Sequence, residues 1–226
     1  MNTDVRNEWV KDVLSKIPVG MHILDVGAGR KQYERYCSHL KYTSQDFCKY
    51  DGKGNDIGLQ RGKKEATDID FVCDITKIPI ADEQFDVILC TEVFEHIPEP
   101  IKAIKEFSRL LKSGGHLILT APFCSLTHYA PYHFYSGFNK YFYDKFLPEN
   151  GFEILELKAN GSFFEYLQQE LIRIEKIAIK YTDTQLSFDE KAFIGTLVRW
   201  LRGICKRDKN SHELLCFGYN VLAKKL

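Results

Sequence analysis

Several features are scarce or missing in this sequence of 226 residues. Its 31 Lys and Arg residues are balanced by 31 Asp and Glu residues, so no net charge attracts nucleic acid or an anionic membrane. No apolar run approaches the ~18 residues that indicate a membrane-spanning helix. The hydrophobic share of 44% is, however, too high for a disordered chain. We therefore predict a globular protein with no nucleic-acid partner and no transmembrane segment.

The seven cysteines form no C-x-x-C pair, and their odd number leaves one over if the others are bridged. Neither a disulfide framework nor a zinc site is predicted from this spacing, and we expect no bound metal. The first twenty residues mix Asp4, Arg6, Glu8 and Lys11 with apolar positions and contain no secretory core. The expected location is therefore the reducing cytoplasm.

Short apolar runs alternate with helical periodicity through most of the chain. The run His22–Val26 is typical of a buried strand that ends in a glycine turn. Further strands are predicted at Tyr42–Asp46, Asp70–Cys73, Phe85–Cys90, His116–Thr120, Phe152–Leu157 and Leu214–Ala223. Helices are predicted from Val5 to Ile17 and from Pro100 to Lys112. This alternation predicts an α/β fold with a largely parallel sheet, in which ligands bind at the carboxyl ends of the strands.

Two stretches interrupt the alternation. Residues 49–67 are rich in Gly, Lys and Asp, which predicts a long surface loop. Apolar stripes over Ser162–Tyr181 and Phe188–Lys206 predict a helical hairpin, residues 161–210, inserted before the last strand. We expect the stripes to pack on the domain or on a second subunit, giving a homodimer. The basic end around Trp200 favours peripheral membrane contact as the alternative.

The turn after the first strand has the sequence Asp-Val-Gly-Ala-Gly at residues 25–29. A dinucleotide-binding turn has a third glycine beside the pyrophosphate, but Gln32 stands at that position here. A carboxylate at the strand end also suits a cation better than a phosphate. Asp46 ends the next predicted strand 21 residues after Asp25, close to the ~20 typical of an acid that holds ribose hydroxyls. With Asp74 after the third strand, the sequence predicts acids at three successive strand ends.

These motifs resemble those of class I S-adenosylmethionine-dependent methyltransferases, in the group that includes the ubiquinone-biosynthesis O-methyltransferases. The matching stretches are residues 23–29, 74–75, 85–98 and 110–122, and Leu214–Lys224 resembles the family's last strand. The resemblance implies a Rossmann-like, seven-stranded, mostly parallel sheet with an antiparallel last strand. It also implies S-adenosyl-L-methionine as cofactor. The implied contacts are Asp25, Gly27 and Gly29 to the methionine part, Asp46 to the ribose, Asp74 and Ile75 to the adenine, and Thr91 to the cofactor.

The segment after the fifth strand, residues 121–138, is rich in histidine, aromatic residues and proline. A loop of this composition at the carboxyl edge of a sheet is a candidate acceptor pocket. His128 and His133 are the candidate general bases, because an imidazole titrates near neutral pH. Either histidine can instead simply hydrogen-bond the loop. The candidate substrate contacts are Tyr129, Tyr132 and Tyr135.

The same loop resembles that of methyltransferases from bacterial surface-polysaccharide gene clusters. Many of those relatives have an Arg where this chain has Ser136, so a contact made by that Arg is not carried over. In such families the pair Glu95-His96 usually orders the helix that follows, and a catalytic His96 is the alternative. An acceptor that is already an amine or carboxylate needs little base, so correct positioning would suffice.

We therefore predict that residues 1–226 form a single methyltransferase domain that acts on a small molecule. The favoured acceptor is an oxygen of a sugar or glycan precursor in cell-surface polysaccharide biosynthesis. A quinone or another aromatic acceptor is the alternative within the same class. A non-catalytic nucleoside-binding module is the alternative from another class, and the three strand-end acids argue against it.

Overall fold

The computed structural model describes residues 2–60, 62 and 68–226. Of the predicted 49–67 loop, residues 61 and 63–67 lie outside this described part. The chain forms two compact units. The first comprises Met1–Lys158 with Gly218–Leu226, and the second comprises Ala159–Phe217.

A seven-stranded sheet organises the first unit. Its strands are β1 His22–Val26, β2 Lys41–Asp46, β3 Phe71–Val72, β4 Phe85–Thr91, β5 Leu111–Pro122, β6 Phe152–Asn160 and β7 Gly218–Lys225. They lie in the order β3-β2-β1-β4-β5-β7-β6. Strands β1 to β5 pair in parallel, and β7 runs antiparallel to β5. The predicted Rossmann-like fold with an antiparallel last strand is confirmed.

Five α-helices accompany the strands in the described part of the chain. They are α1 Asn2–Ser15, α2 Pro100–Leu110, α3 Lys140–Phe146, α4 Phe163–Thr182 and α5 Phe188–Cys205. None of these helices is both long enough and apolar enough to cross a lipid bilayer.

The core beneath one face of the sheet joins α1 to the central strands. Trp9, Val10 and Leu14 of α1 pack with Ile23 of β1 and Ile118 of β5 in one buried cluster. Burying a large aliphatic or aromatic side chain contributes ~1.5 to 3 kcal/mol each. This cluster therefore holds α1 against the central strands of the sheet.

Several predicted boundaries are wrong, and those around β5 and β7 are examples. The helix predicted to reach Lys112 ends at Leu110, because the backbone becomes extended at Leu111, which pairs with Phe85. Strand β5 therefore begins five residues before the predicted His116. The last strand begins at Gly218 rather than at Leu214.

The second unit contains an antiparallel helical hairpin. Ser162 caps α4, and Ser187 forms a reciprocal capping box with Glu190 at the start of α5. An ion pair between Lys191 and Glu175, 2.6 Å long, joins the two helices. At the base of the unit the Phe217 N–H donates to the Asn160 carbonyl over 2.9 Å.

The exposed surface of the hairpin includes large apolar side chains. Phe188 is 85% exposed and Trp200 is 62% exposed. Exposed aromatic side chains are suited to contact with a partner or with a lipid surface. The expected homodimer or membrane contact of the hairpin stays a prediction.

Candidate active site

The turn after β1 requires glycine at two positions. Gly27 and Gly29 have φ angles of +66° and +56°, in the left-handed region that other residues avoid. A Cβ atom on Gly27 would also lie 2.5 Å from Cγ2 of Val93. The turn can therefore approach a ligand with backbone alone.

The carboxylate of Asp46 is fixed by two backbone groups. Its Oδ2 accepts the Gly29 N–H over 2.9 Å, and its Oδ1 accepts the Cys48 N–H over 2.7 Å. Asp46 is the last residue of β2 and is half-buried. These bonds hold its carboxylate beside the glycine turn, where the predicted ribose contact would be made.

Asp25 lies in a different environment from the other two acids. It is 2% exposed, and the Tyr42 hydroxyl donates to its Oδ2 over 2.6 Å. Burial is the main cause that raises the pKa of Asp25 from 3.8 to about 7. The side chain is thus enclosed beneath the turn, and its predicted contact with the methionine part stays a prediction.

The remaining predicted cofactor residues follow the ends of β3 and β4. Asp74 is exposed, and its Oδ1 accepts the Thr76 N–H over 2.8 Å and the Thr76 hydroxyl over 2.7 Å. Ile75 is buried beside it, and Thr91 is the last residue of β4. Because β3, β2, β1 and β4 are neighbours in the sheet, their parallel carboxyl ends share one edge.

Three imidazole rings meet on the other half of this edge. His96 ends a short 3-10 helix, Phe94–His96, after β4, whereas His128 and His133 lie in the loop after β5. The ring centres of His96 and His128 are 4.6 Å apart, and those of His128 and His133 are 4.8 Å apart. The structure thus brings both predicted bases together and adds His96.

A buried carboxylate lies at the centre of the imidazole cluster. Glu95 is 1% exposed, and its Oε1 lies 3.6 Å from Nε2 of His96 and 3.8 Å from Nε2 of His128. Burial, and then the charge of Glu92, hold the pKa of Glu95 well above its usual range. The main-chain carbonyl of Glu95 also accepts the Phe134 N–H over 2.8 Å, which ties the loop to the cluster.

His133 has a defined hydrogen-bond partner. The Ser125 hydroxyl oxygen lies 2.9 Å from the Ser136 carbonyl and 3.2 Å from Nε2 of His133. When the hydroxyl donates to the carbonyl, it accepts from Nε2–H of His133, and the lone pair of the ring is then on Nδ1. Burial, and then the neighbouring His128, lower the pKa of His133.

The predicted substrate tyrosines take three different positions. Tyr129 stacks on His96 with ring centres 5.0 Å apart, and it also stacks on Tyr50 at 4.6 Å. Tyr132 meets Phe47 edge to face at 5.8 Å. The hydroxyl of Tyr135 donates to the Pro98 carbonyl over 2.9 Å. The Tyr129 ring therefore lies against the histidine cluster, the Tyr132 ring lies against Phe47, and Tyr135 anchors the loop.

The loop after β2 packs more closely than the sequence predicted. Leu59 exchanges backbone hydrogen bonds with Thr127 and Tyr129, over 2.9 and 3.0 Å. Gly58 has a positive φ, and a Cβ there would collide with the Thr127 carbonyl. Glycines between charged residues were read only as signs of a surface loop, but here they permit close contact between two loops.

Sequence analysis also missed two polar residues that support the site. The buried Gln45 accepts the Gly27 N–H over 3.2 Å and donates to the Cys73 carbonyl over 2.7 Å. Glu92 forms a 2.8 Å ion pair with the buried Arg6 of α1. The sequence marks neither residue: Gln45 stands in a strand that is mostly polar, Lys41–Asp46, and nothing pairs Glu92 with Arg6.

The chemistry of the strand ends fits the cofactor that the resemblance implies. Asp46 and Asp74 offer carboxylates, which suit a ligand with positive charges and hydroxyl groups better than one with phosphates. The glycine turn offers close backbone approach, and Ile75 offers an apolar side chain. These residues would hold S-adenosylmethionine.

Comparison with known proteins agrees with this fit. Residues 24–119 match the family of methyltransferase domains. Demethylmenaquinone methyltransferase of Renibacterium salmoninarum is 33% identical over 114 residues, which are 49% of this chain and 44% of that protein. Ubiquinone biosynthesis O-methyltransferase of Coxiella burnetii is 32% identical over 104 residues, 45% of this chain and 43% of that protein. The match thus spans less than half the length of either relative.

Solved structures show the same fold. The [4+2]-cyclase SpnF has a TM-score of 0.56 and 20% identity over 96% of this chain and 80% of that one. Phosphoethanolamine N-methyltransferase 2 of Haemonchus contortus, in complex with S-adenosyl-L-methionine, has a TM-score of 0.55 and 16% identity over 98% of this chain and 52% of that one. Residues 24–119 therefore belong to the methyltransferase-domain family, and the described chain has the fold that these solved structures share.

Proposed function

We propose that this chain transfers a methyl group from S-adenosylmethionine to a hydroxyl oxygen of a sugar or glycan precursor. The observation that carries the proposal is the convergence of His96, His128 and His133 at the carboxyl edge of the sheet. Methylation of a hydroxyl requires removal of its proton, and imidazole, with an ordinary pKa of ~6.5, is suited to this role. The cluster therefore supports O-methylation over transfer to an acceptor that needs no base.

The cofactor side of the reaction depends on binding and orientation. S-adenosylmethionine, when bound, supplies an electrophilic methyl group on a positively charged sulfur. Asp46, held by Gly29 and Cys48, is placed to accept hydrogen bonds from the ribose. Asp74 and Ile75 are the candidate adenine contacts, and Thr91 ends the strand that leads to the histidine cluster.

His133 is the residue we assign as general base. Its Nε2–H is directed to Ser125, which leaves the lone pair of Nδ1 to take the acceptor's proton. The hydrogen bond to Ser125 orients the imidazole ring of His133. In nucleophile–base pairs a third group orients the base in the same way. His128 is the alternative base. Its Nδ1 lies 2.8 Å from the Leu126 carbonyl, which can only accept, so Nδ1 carries the proton and the lone pair of the neutral ring is on Nε2.

The aromatic side chains supply flat surfaces beside these rings. Phe47, Phe134 and Tyr135 are exposed, and Tyr129 and Tyr132 are half-buried. A sugar ring can pack its apolar face on such a surface while its hydroxyls reach the polar cluster. The combination of aromatic faces with three imidazoles supports a small, ring-shaped, hydroxylated acceptor.

A quinol or another aromatic hydroxyl is the second candidate acceptor. It is favoured by the two relatives, whose names refer to menaquinone and ubiquinone. A phenolic hydroxyl has a pKa of ~10, whereas that of an alkyl hydroxyl is far higher. A site with three imidazoles and a buried carboxylate matches the more demanding proton removal, which favours the sugar.

The test combines binding with a panel of acceptors. The purified chain should bind S-adenosylhomocysteine in calorimetry and transfer radiolabelled methyl from S-adenosylmethionine to nucleotide sugars but not to catechols or quinols. Transfer to quinols alone would show that the acceptor is an aromatic hydroxyl and not a sugar hydroxyl. Binding without transfer to any acceptor would favour the non-catalytic module, and absence of binding would refute the proposal.

A further inference from the structure

The cluster around Glu95 has the composition of a metal-ligand set. One carboxylate oxygen of Glu95 and one ring nitrogen each of His96 and His128 lie within 4.8 Å of one another. Two ligands bound at ~2.1 Å in tetrahedral geometry lie ~3.4 Å apart. The separations of 3.6 and 3.8 Å from Glu95 Oε1 to the two Nε2 atoms exceed this value by only a few tenths of an ångström. The two imidazoles, whose ligand atoms are within 4.8 Å of each other, would have to move closer together on binding.

The hydrogen bonds of the two rings select the correct nitrogens. Nδ1 of His96 lies 2.6 Å from the Tyr132 carbonyl, and Nδ1 of His128 lies 2.8 Å from the Leu126 carbonyl. A carbonyl only accepts, so each Nδ1 carries the proton and, in the neutral ring, each Nε2 carries the lone pair. This arrangement, with Nδ1–H on a backbone carbonyl and Nε2 directed inward, is the one found in metal-ligating histidines.

Glu95 supplies a separate observation that points to a ligand. Its side chain is 1% exposed, and Oε2 has no hydrogen-bond partner among the described residues. A buried carboxylate oxygen without a hydrogen bond is costly unless a positive charge compensates it. The nearest basic nitrogens, at 3.6 and 3.8 Å, are beyond the range of a hydrogen bond.

We infer that Glu95, His96 and His128 bind one divalent ion of the first transition row. Two imidazoles with one carboxylate suit such ions better than Mg²⁺, which prefers an all-oxygen shell. The seven cysteines indicated no zinc site because their spacing reports only on thiolate ligands. This set uses nitrogen and oxygen, and it is completed by a loop residue distant in sequence.

The position of the ion suggests its role, and this step rests on the proposed function. Three protein ligands leave a coordination position open. A hydroxyl oxygen bound there has a lowered pKa, because the cation stabilises the alkoxide. His133 is not among the three ligands, so it remains available to receive the proton that the hydroxyl loses.

Metal binding can be tested without any methyl acceptor. The full chain, freed of metal by a chelator and dialysed, is titrated with Co²⁺ and followed by visible absorption and calorimetry. We expect one ion per chain and a spectrum without the thiolate charge-transfer band that binding to cysteine produces. Mn²⁺ and Zn²⁺ should compete for the same ion position, and Mg²⁺ should not.

Matched histidine variants decide which residues bind the ion. His96→Ala and His128→Ala should each weaken Co²⁺ binding at least ~10-fold. His133→Ala removes the adjacent imidazole and His116→Ala removes one on β5, and both should bind Co²⁺ as the unchanged chain does. If His96→Ala does not fold by circular dichroism, Glu95→Gln and His128→Gln provide the same comparison.

The outcomes separate this inference from the proposed function. Absence of Co²⁺ binding, or equal binding by all four alanine variants, would overturn the metal site. If S-adenosylhomocysteine still binds and methyl transfer proceeds in excess chelator, the proposed function stands and the metal inference fails. If Co²⁺ binds as expected and no acceptor is methylated, the metal site stands and the proposed function fails.

Discussion

The two halves of the sheet edge are built in different ways. We call the edge formed by the ends of β3, β2 and β1 the cofactor half and the edge that carries the histidine cluster the acceptor half. On the cofactor half, Asp46 ends β2, the glycine turn follows the adjacent strand β1, and the two contact each other directly. On the acceptor half, the histidine cluster combines residues 95–96 with residues 128–133, and the segment 50–59 covers it. The proposed nucleoside site thus depends on short, local motifs, whereas the proposed acceptor site depends on contacts between loops distant in sequence.

The chemistry of the two halves differs as well. The cofactor half presents carboxylates, which suit a cationic ligand with hydroxyls. The acceptor half presents imidazoles and aromatic rings around one buried acid. If this division is correct, changes on one half should alter one property of the protein and spare the other.

The largest expected effect belongs to the acceptor half. His133→Ala should lower turnover by ~10² to 10⁴-fold, because a positioned base contributes about that much. The affinity for S-adenosylhomocysteine should remain nearly unchanged, since His133 lies on the other half. Steady-state kinetics with the identified acceptor and calorimetry with S-adenosylhomocysteine measure the two quantities.

His116→Ala is the control for loss of an imidazole, because His116 lies near the start of β5, away from the strand ends. His128→Ala should be assayed in parallel. If neither His133→Ala nor His128→Ala slows methyl transfer, proton removal by these rings is not part of catalysis, and positioning alone carries the reaction.

Asp25→Asn tests the acid that the fold buries. Because the pKa of Asp25 is raised to about 7 in the folded protein, the folded state holds a proton that the unfolded state loses near pH 4. The native protein therefore loses stability as pH rises from about 4 to about 7. Asparagine does not ionise, so the Asp25→Asn variant avoids this loss. Relative to the unchanged chain, its unfolding free energy should rise by up to about 4 kcal/mol between pH 4 and pH 7.

Urea unfolding of both proteins from pH 4 to pH 8 measures this difference. A constant difference between Asp25→Asn and the unchanged chain at every pH would show that Asp25 is ionised in the folded state.

Gly27→Ala tests the glycine turn. The left-handed backbone costs an alanine ~1 to 2 kcal/mol, and the collision with Val93 adds an overpacking cost of ~1 to 3 kcal/mol. We expect a loss of ~3 kcal/mol in unfolding free energy, measured by urea denaturation. Gly20→Ala is the matched control, since Gly20 has a φ of +82° but no atom within 4 Å of the added Cβ.

The double variant Gly27→Ala with Val93→Ala separates the two costs. Removing the valine methyls should recover the overpacking part and leave the backbone part. Equal losses for Gly27→Ala and Gly20→Ala would show that Val93 moves away without cost.

The smallest expected effect is on cofactor affinity. Asp46→Ala should weaken binding of S-adenosylhomocysteine at least tenfold, or ~1.4 kcal/mol, because the ribose loses its acceptor and Gly29 loses its bond. Calorimetry measures the change, and Asp144→Ala, an exposed acid on α3, is the control. Unchanged affinity in Asp46→Ala would remove the ribose assignment.

The contrast between local motifs and contacts distant in sequence also explains how much of the structure the sequence predicts. Strand β1 was predicted to the residue, and the caps Ser162 and Ser187 mark helices that the apolar stripes had indicated. Helix α3, at seven residues, was missed because so short a segment shows little periodicity. The start of β5 was misplaced because Gly114-Gly115, a pair of the type that commonly ends a helix, lies within the strand.

At the candidate site, local signals were sufficient for Asp46 and the glycine turn, but not for their surroundings. His128 and His133 were predicted from residue type and position alone. The approach of His96 to them depends on how the loop after β5 folds back over β4. The burial of Glu95 has no sequence signature, because its neighbours in space come from several segments.

The hydrogen bond from the Phe217 N–H to the Asn160 carbonyl bears on where residues can be inserted into this chain or removed from it. Since the two ends of the second unit are hydrogen-bonded to each other, and β6 lies beside β7, residues 161–216 interrupt what is otherwise a simple β-hairpin. A two-residue Asn-Gly turn would satisfy the same geometry. Insertion, exchange or loss of this segment can thus occur at one point of the sheet without shifting the register of any strand.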